Sequence, residues 1–289
     1  MSTVYKKELK QLFTSMTGCI FIAFVLLFAG IYLTAYNLKG AYYSGMEYIL
    51  SPVSFIFLLA IPVLTMRSMA EETRQKTDQL LFTSPVSMGE IVLGKFFAMV
   101  TVFAIPVLVM CLYPLILSQF GTINYAAAYG ALLAFFLFGA MLIALGMFIS
   151  TLTESQIISA VVCLAVLLIV YFMDGIRSLM GDSALAAVAV FTVVAALIAL
   201  LVRSATANNT AAIAAGVCLE AALLACYLWK PAALTSAVSA VLGVFSAFDR
   251  LSAFTQNGLF DLTALFYYLS GAGLFCFLSA QSLEKRRWN

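Results

Sequence analysis

The sequence predicts an all-α polytopic membrane protein, and three observations carry that prediction. Hydrophobic residues make up 64% of the 289 and charged residues only 10%, against roughly 25% charged in a soluble domain. Mean hydropathy is +1.07. The apolar residues come as continuous runs of helix-spanning length, not as the alternation of a porin strand. So few charges could not cover a water-soluble fold, so the bilayer must solvate most side chains.

Eight spans are expected, at residues 17–36, 50–66, 93–117, 126–150, 157–173, 184–202, 210–229 and 263–283. Each is near the ~20 residues that cross a ~30 Å hydrocarbon core. A six-span alternative folds the Ala-rich stretch 184–229 back as a re-entrant hairpin. The first apolar run follows Lys6, Lys7 and Lys10. It is too long for a signal-peptide core and no A-x-A-like site ends it, so it is expected to stay as a span. With the start of the chain and both termini placed in the cytoplasm, eleven basic residues fall inside. Lys39, Arg177, Lys230 and Arg250 fall outside, a clear positive-inside bias.

Net charge is +2 and there is no histidine. That argues against nucleic acid as a partner and removes the commonest metal ligand and proton shuttle. The six cysteines, Cys19, Cys111, Cys163, Cys218, Cys226 and Cys276, lie in apolar runs without a CxxC pair and read as small buried residues, not metal ligands. No metal site and no catalytic residue is expected.

One domain, 1–289, is expected, with three informative segments outside the spans. In residues 1–16, Leu9, Leu12, Phe13 and Met16 share one helical face and lysines the other, which suits a helix in the membrane interface or a simple topology anchor. Residues 231–262 are apolar but broken by Asp249, Arg250, Asn257, Gly258 and Asp261, and read as an extracytoplasmic helix and loop. Residues 67–92 form the sizeable cytoplasmic loop. Its first part keeps helical spacing through Met69, Ala70, Thr73, Thr77, Leu80 and Leu81. Glu72–Lys76 and Arg74–Asp78 are opposite-charge pairs at i,i+4. Ser84-Pro85 breaks the helix, and Ser87 with Glu90 has capping-box spacing before the third span. The expectation is a helical hairpin whose tip carries Leu80, Leu81 and Phe82, residues that a partner protein or the bilayer surface would cover.

Two motifs are decoys. Gly89-Glu-Ile-Val-Leu-Gly94-Lys95-Phe96 nearly fits a phosphate-binding loop, but Phe96 stands where Ser or Thr would hold Mg²⁺ and no strand precedes it. Leu269-Ser-Gly-Ala-Gly273 lies within the last span, where its glycines suit helix packing. Glu220 is the acid well inside a span, either a pathway or gating residue or a protonated group bonded to a neighbouring helix. Pro52 and Pro62 interrupt the second span, and Pro106 and Pro114 the third, as hinges or as rigid kinks.

At this point a family resemblance is visible. Met66-Arg67, Ala70-Glu71-Glu72, Thr77-Asp78-Gln79-Leu80-Leu81, Thr83-Ser84-Pro85-Val86-Ser87 and Glu90-Ile91-Val92-Leu93-Gly94-Lys95-Phe96 together resemble the ABC-2 type transporter permeases, closest to the gliding-motility-associated branch. Lys6-Lys7-Glu8-Leu9 and the closing Phe260-Asp261-Leu262 through Leu283-Glu284-Lys285-Arg286-Arg287-Trp288 are similar to that branch's ends. The resemblance implies an ABC-2, type V exporter-like transmembrane bundle in a bacterial plasma membrane. It implies that ATP and Mg sit on a separate cytoplasmic ATPase, so that this chain holds no cofactor. It also implies a second permease copy or paralogue as dimer partner and, as a further candidate, an auxiliary extracytoplasmic subunit. Carried over by position, the ATPase-coupling contact falls on Glu71, Glu72, Thr77, Asp78, Leu80, Leu81, Thr83, Ser84 and Pro85. The competing class is an ion-coupled secondary transporter or channel, which usually places several ionisable residues in its spans, where this chain offers Glu220. A membrane enzyme would need clustered acids or an activated nucleophile at the membrane face, and an adaptor would be a closed bundle without a cavity.

Overall fold

The computed structural model describes residues 1–38, 45–75, 87–119, 123–180, 242–256 and 260–288, with isolated positions 192, 236, 240 and 258. The chain divides into two compact units, 1–169 with 248–289, and 170–247. Most of the second lies outside the described residues, including the expected spans 184–202 and 210–229, Glu220, Cys218 and Cys226.

The described residues of the first unit form helices joined by short turns and loops. Helix α1 (Ser2–Thr14) turns at Met16, whose positive φ of 58° makes a sharp corner into α2 (Thr17–Leu33). Helix α2 ends in a π-helical turn, Thr34–Leu38. The second span is split into α3 (Glu47–Phe55) and α4 (Phe57–Thr65), which a short turn joins to α5 (Ala70–Arg74). Then come α6 (Met88–Met110) and the short α7 (Tyr113–Leu117). Helices α8 (Tyr125–Leu152) and α9 (Gln156–Met180) follow. After the second unit the chain returns as α10 (Ala247–Gln256) and α11 (Leu262–Trp288). Five of these segments are long and apolar enough to cross a membrane, six if the bent α3–α4 pair is one span.

Local chemistry explains the element ends. Ser87 caps α6, its Oγ accepting the Glu90 N–H at 3.3 Å as the capping-box spacing predicts. Asn124 does the same for α8 through the Ala127 N–H at 3.3 Å. The segments before and after Ile56 cross at 58°, and Pro52 and Pro62 flank the bend. The break itself is at Ile56, whose N–H bonds to Val53 O at 3.1 Å, one residue short of its α-helical partner. Pro106 lies inside α6, whereas Pro114 sits at the start of α7, a place where a missing N–H costs nothing.

Helix α8 is the centre of this unit and is buried over most of its length, with α11, α6, α4 and α3 packed round it. Its glycines set the approach of the neighbours. A Cβ on Gly139 would collide with the Phe103 ring, and one on Gly146 would sit 2.5 Å from Thr65 Oγ1. Small residues of this kind let backbones close together where no hydrophobic effect drives helices to associate. Around Gly139 lies an aromatic layer: Phe57 is 5.4 Å from Phe103 and 4.8 Å from Phe135, and Phe103 stacks on Phe136 at 5.7 Å. Tyr268 of α11 joins it 5.4 Å from Phe138.

Helix α1 packs on the bundle by one face. Phe13 and Met16 are exposed, while the buried member of the helix is Glu8. The stripe Val4, Tyr5, Glu8 and Leu12 turns toward the bundle. Val4 lies against Gly94 and the Tyr5 hydroxyl is 3.1 Å from Thr101 Oγ1, so α1 docks along α6. There Glu8 pairs with Lys95 of α6. The cysteines are also not uniformly buried. Cys163 and Cys276 are, Cys111 is half-buried, and Cys19 is exposed on α2.

Candidate functional site: the base of the loop after the second span

Lys95 lies two turns into α6, flanked by Gly94 and Phe96, and is 2% exposed. An ammonium there needs partners, because an unpaired charge in an apolar setting is expensive. It has three. Its Nζ lies 3.0 Å from Glu8 Oε1 and 2.9 Å from Glu72 Oε1, and donates to the Ser68 carbonyl oxygen at 2.7 Å. All three donors of the ammonium are therefore used. The three partners come from α1, from α5 and from the turn between α4 and α5, so one side chain ties three segments to α6. Lys7 approaches the same Glu72 oxygen at 3.8 Å, but its side chain is 62% exposed, and an exposed pair of that length contributes little.

A second anchor comes from α8. Ser150, fully buried, accepts hydrogen bonds from the backbone N–H groups of Met69 (3.2 Å) and Ala70 (3.1 Å), and its hydroxyl faces Met66 O at 3.4 Å. These are orphan donors at the start of α5, which would otherwise be buried without partners. Thr65, one turn earlier, returns its own hydroxyl to Ile61 O at 2.9 Å. A small cavity of about 80 Å³ lies beside the ion cluster, bordered by Glu8, Arg67, Ser68, Glu71 and Lys95. It has room for a few waters, and the buried Ser68 Oγ has no hydrogen-bond partner among the described residues.

Of the expected coupling residues, Glu71 and Glu72 lie within the described residues. Glu72 turns inward to Lys95, and Glu71 accepts from Gln75 Nε2 at 3.3 Å. Thr77, Asp78, Leu80, Leu81, Thr83, Ser84 and Pro85 lie outside them, as do Lys76 and Asp78 of the expected i,i+4 pairs. Gly89 to Lys95, the phosphate-loop decoy, is continuous helix. Sequence reasoning missed Lys95, Glu8 and Ser150 as a set. The available signal was a lone lysine inside an apolar run, which implies a carboxylate supplied by another segment.

Five or six apolar helices among the described residues, each long enough to cross a bilayer, define a multi-pass membrane protein. The chain belongs to the ABC-2 family of transporters: the family described as "ABC-2 family transporter protein" matches residues 30–230, well over half its length. It is thus a permease subunit of an ABC transporter, from a family that is generally non-enzymatic and typically works with a cytoplasmic ATPase. Lys95, Glu72 and Ser150 fall inside the matched range, whereas Glu8 and α11 fall outside it. No curated protein and no solved structure matches the chain.

Proposed function

We propose that this permease converts ATP hydrolysis by a separate cytoplasmic ATPase into substrate export or a mechanical membrane process, and that residues 67–92 are the part the ATPase moves. The observation that carries the reading is the double anchoring of the loop base, to α6 and α1 through Lys95 and to α8 through Ser150. A loop that merely joined two spans would need neither. Anchored this way, displacement of the loop cannot be absorbed locally and must shift the helices that hold it.

On this reading both termini and the loop face the cytoplasm of a bacterial plasma membrane, in line with the positive-inside count. A second permease copy or a paralogue completes the pathway, ATP and Mg stay on the ATPase, and an extracytoplasmic subunit is a further candidate partner. The loop motif and the two ends of the sequence support the gliding-motility branch. Pro52 and Pro62 are assigned as hinges of the bent second span, with Pro106 as a hinge in α6, and Glu220 as a pathway or gating residue.

The test is a pull-down in mild detergent with Leu80→Asp and Leu81→Asp together. The ATPase should be lost from the purified complex, and substrate-stimulated ATP hydrolysis with it, while the permease elutes unchanged on gel filtration. Normal co-purification with full ATP hydrolysis would end the coupling assignment.

A further inference from the structure

The first unit carries a second feature, distinct from the ion cluster. Between α6, α8 and α11 runs a groove of about 620 Å³ whose lining is almost wholly apolar, with Phe96, Phe97, Phe136, Cys276 and Phe277 among its walls. Leu93, Phe97, Leu269 and Phe277 are exposed along it. Its size is that of a ligand site, yet its walls offer no set of polar groups to orient a polar ligand.

Its length and placement identify an occupant. One end lies at Gly89, near the start of α6, and Ala280, near the end of α11; the other lies at Val100 and Tyr268. Helical rise makes that about 16–18 Å along the two helices, the depth of one leaflet of a ~30 Å hydrocarbon core. The groove therefore begins where α6 begins, beside the loop base, and stops near mid-membrane. Just past Ala280, α11 continues to Glu284 and an exposed Lys285, and Arg286-Arg287 follow them in the sequence. We infer that the groove is an acyl-chain site for an anionic membrane lipid of the leaflet on the loop's side, the tail lying between α6 and α11 and the headgroup on the basic end of α11. The inference does not depend on how the ATPase is coupled.

A glycine provides a clean test. A Cβ on Gly273, which lines the groove, meets nothing within 4 Å. Gly273→Phe should thus fill the groove without disturbing helix packing. The full-length chain, in nanodiscs, is irradiated with phosphatidylglycerol carrying a diazirine in mid-tail, and labelled peptides are mapped. Labelling should concentrate on residues 88–100 and 268–280 and fall at least fivefold in Gly273→Phe. Phosphatidylglycerol should compete better than phosphatidylcholine, and Lys285→Glu with Arg286→Glu and Arg287→Glu should remove that preference, at about fivefold per charge near the surface. Even labelling round all helices, labelling unchanged by Gly273→Phe, or no headgroup preference would overturn the site. Cross-linking of Cys276 to a second copy of the chain, in place of lipid, would overturn it too.

Discussion

Replacing Lys95 with methionine keeps the side chain's length and removes its charge, and should release α1 from the bundle. The loss can be worked from the contacts. Lys95 holds Glu8 at 3.0 Å and Glu72 at 2.9 Å, and their side chains are 11% and 16% exposed. Breaking a buried pair by deleting one partner costs about 3–5 kcal/mol, because the remaining charges stay behind uncompensated. Both carboxylates keep some access to water, so the lower end applies, about 3 kcal/mol. At 1.4 kcal/mol per tenfold, amide exchange in residues 2–14 should quicken by about a hundredfold, measured by hydrogen–deuterium exchange in nanodiscs. Exchange in the middle of α8 should stay as it was. The triple variant Lys95→Met, Glu8→Gln, Glu72→Gln should recover most of the loss, since an apolar or neutral replacement of a whole buried ion cluster is near neutral. If Lys95→Met leaves α1 as protected as before, or if the triple variant is no better than the single, the ion cluster does not hold the helix and the anchoring argument fails.

Other outcomes follow from the same contacts. Ser150→Ala removes the shared acceptor of two buried N–H groups and should cost about 1–3 kcal/mol, read as faster exchange at residues 69–75 with α6 unaffected. Gly146→Val drives a side chain into Thr65 and should lower the detergent melting temperature through an overpacking cost of about 1–3 kcal/mol, whereas Gly30→Ala, which has open space, should leave it unchanged. Asp261 accepts the Thr263 N–H at 2.8 Å, and the Thr263 side chain with that N–H holds its carboxyl below the usual range. A lowered carboxyl stabilises at pH above its unfolded value of about 3.9 and the gain is lost as pH falls through the folded value. Asp261→Ala should therefore speed exchange at the start of α11 at pH 7, by about 0.5–1 kcal/mol of lost capping, with the difference from wild type shrinking in strong acid.

Much of this architecture was legible because it is written in local terms. Continuous apolar runs marked the first span at 17–36 and the last at 263–283, and the structure has Thr17–Asn37 and Leu262–Lys285. The Ser87–Glu90 cap was legible for the same reason, being a contact three residues long. Pro52 and Pro62 pointed to kinks in the second span, but the break falls at Ile56, which neither proline's missing hydrogen bond spans. What escaped is what depends on distant residues. Glu8 and Lys95 are 87 positions apart, and nothing local to residues 1–16 gives a reason to bury a carboxylate. Glu72 was given to Lys76 by i,i+4 spacing, a pairing worth only a few tenths of a kcal/mol. A buried ammonium at 2.9 Å outweighs that several times over, so the tertiary partner wins. Cys19 was misread in a similar way: an apolar run shows that a residue avoids water, not whether it faces protein or lipid.

The two anchors also constrain how a push on the loop could travel. A lever needs a stiff arm, a load and a place to turn. From Phe57 to Arg74 the chain is held at both Thr65–Gly146 and Ser150, so it moves with α8 or not at all. On the other side of the loop, Lys95 binds α6 to that same arm through Glu72 and Ser68. The arm and the start of α6 are therefore one mechanical piece, and α1 rides on it through Glu8. The nearest place to turn is the 58° bend at Ile56, where the backbone already departs from helical bonding. A displacement of the loop should then appear as a change of angle between α3 and α4, with α1, α5 and the first turns of α6 moving together. Distances measured by spin labels between α1 and α6 should stay constant through the ATPase cycle, while those between α3 and α5 change; the opposite pattern would mean that the loop moves against its base.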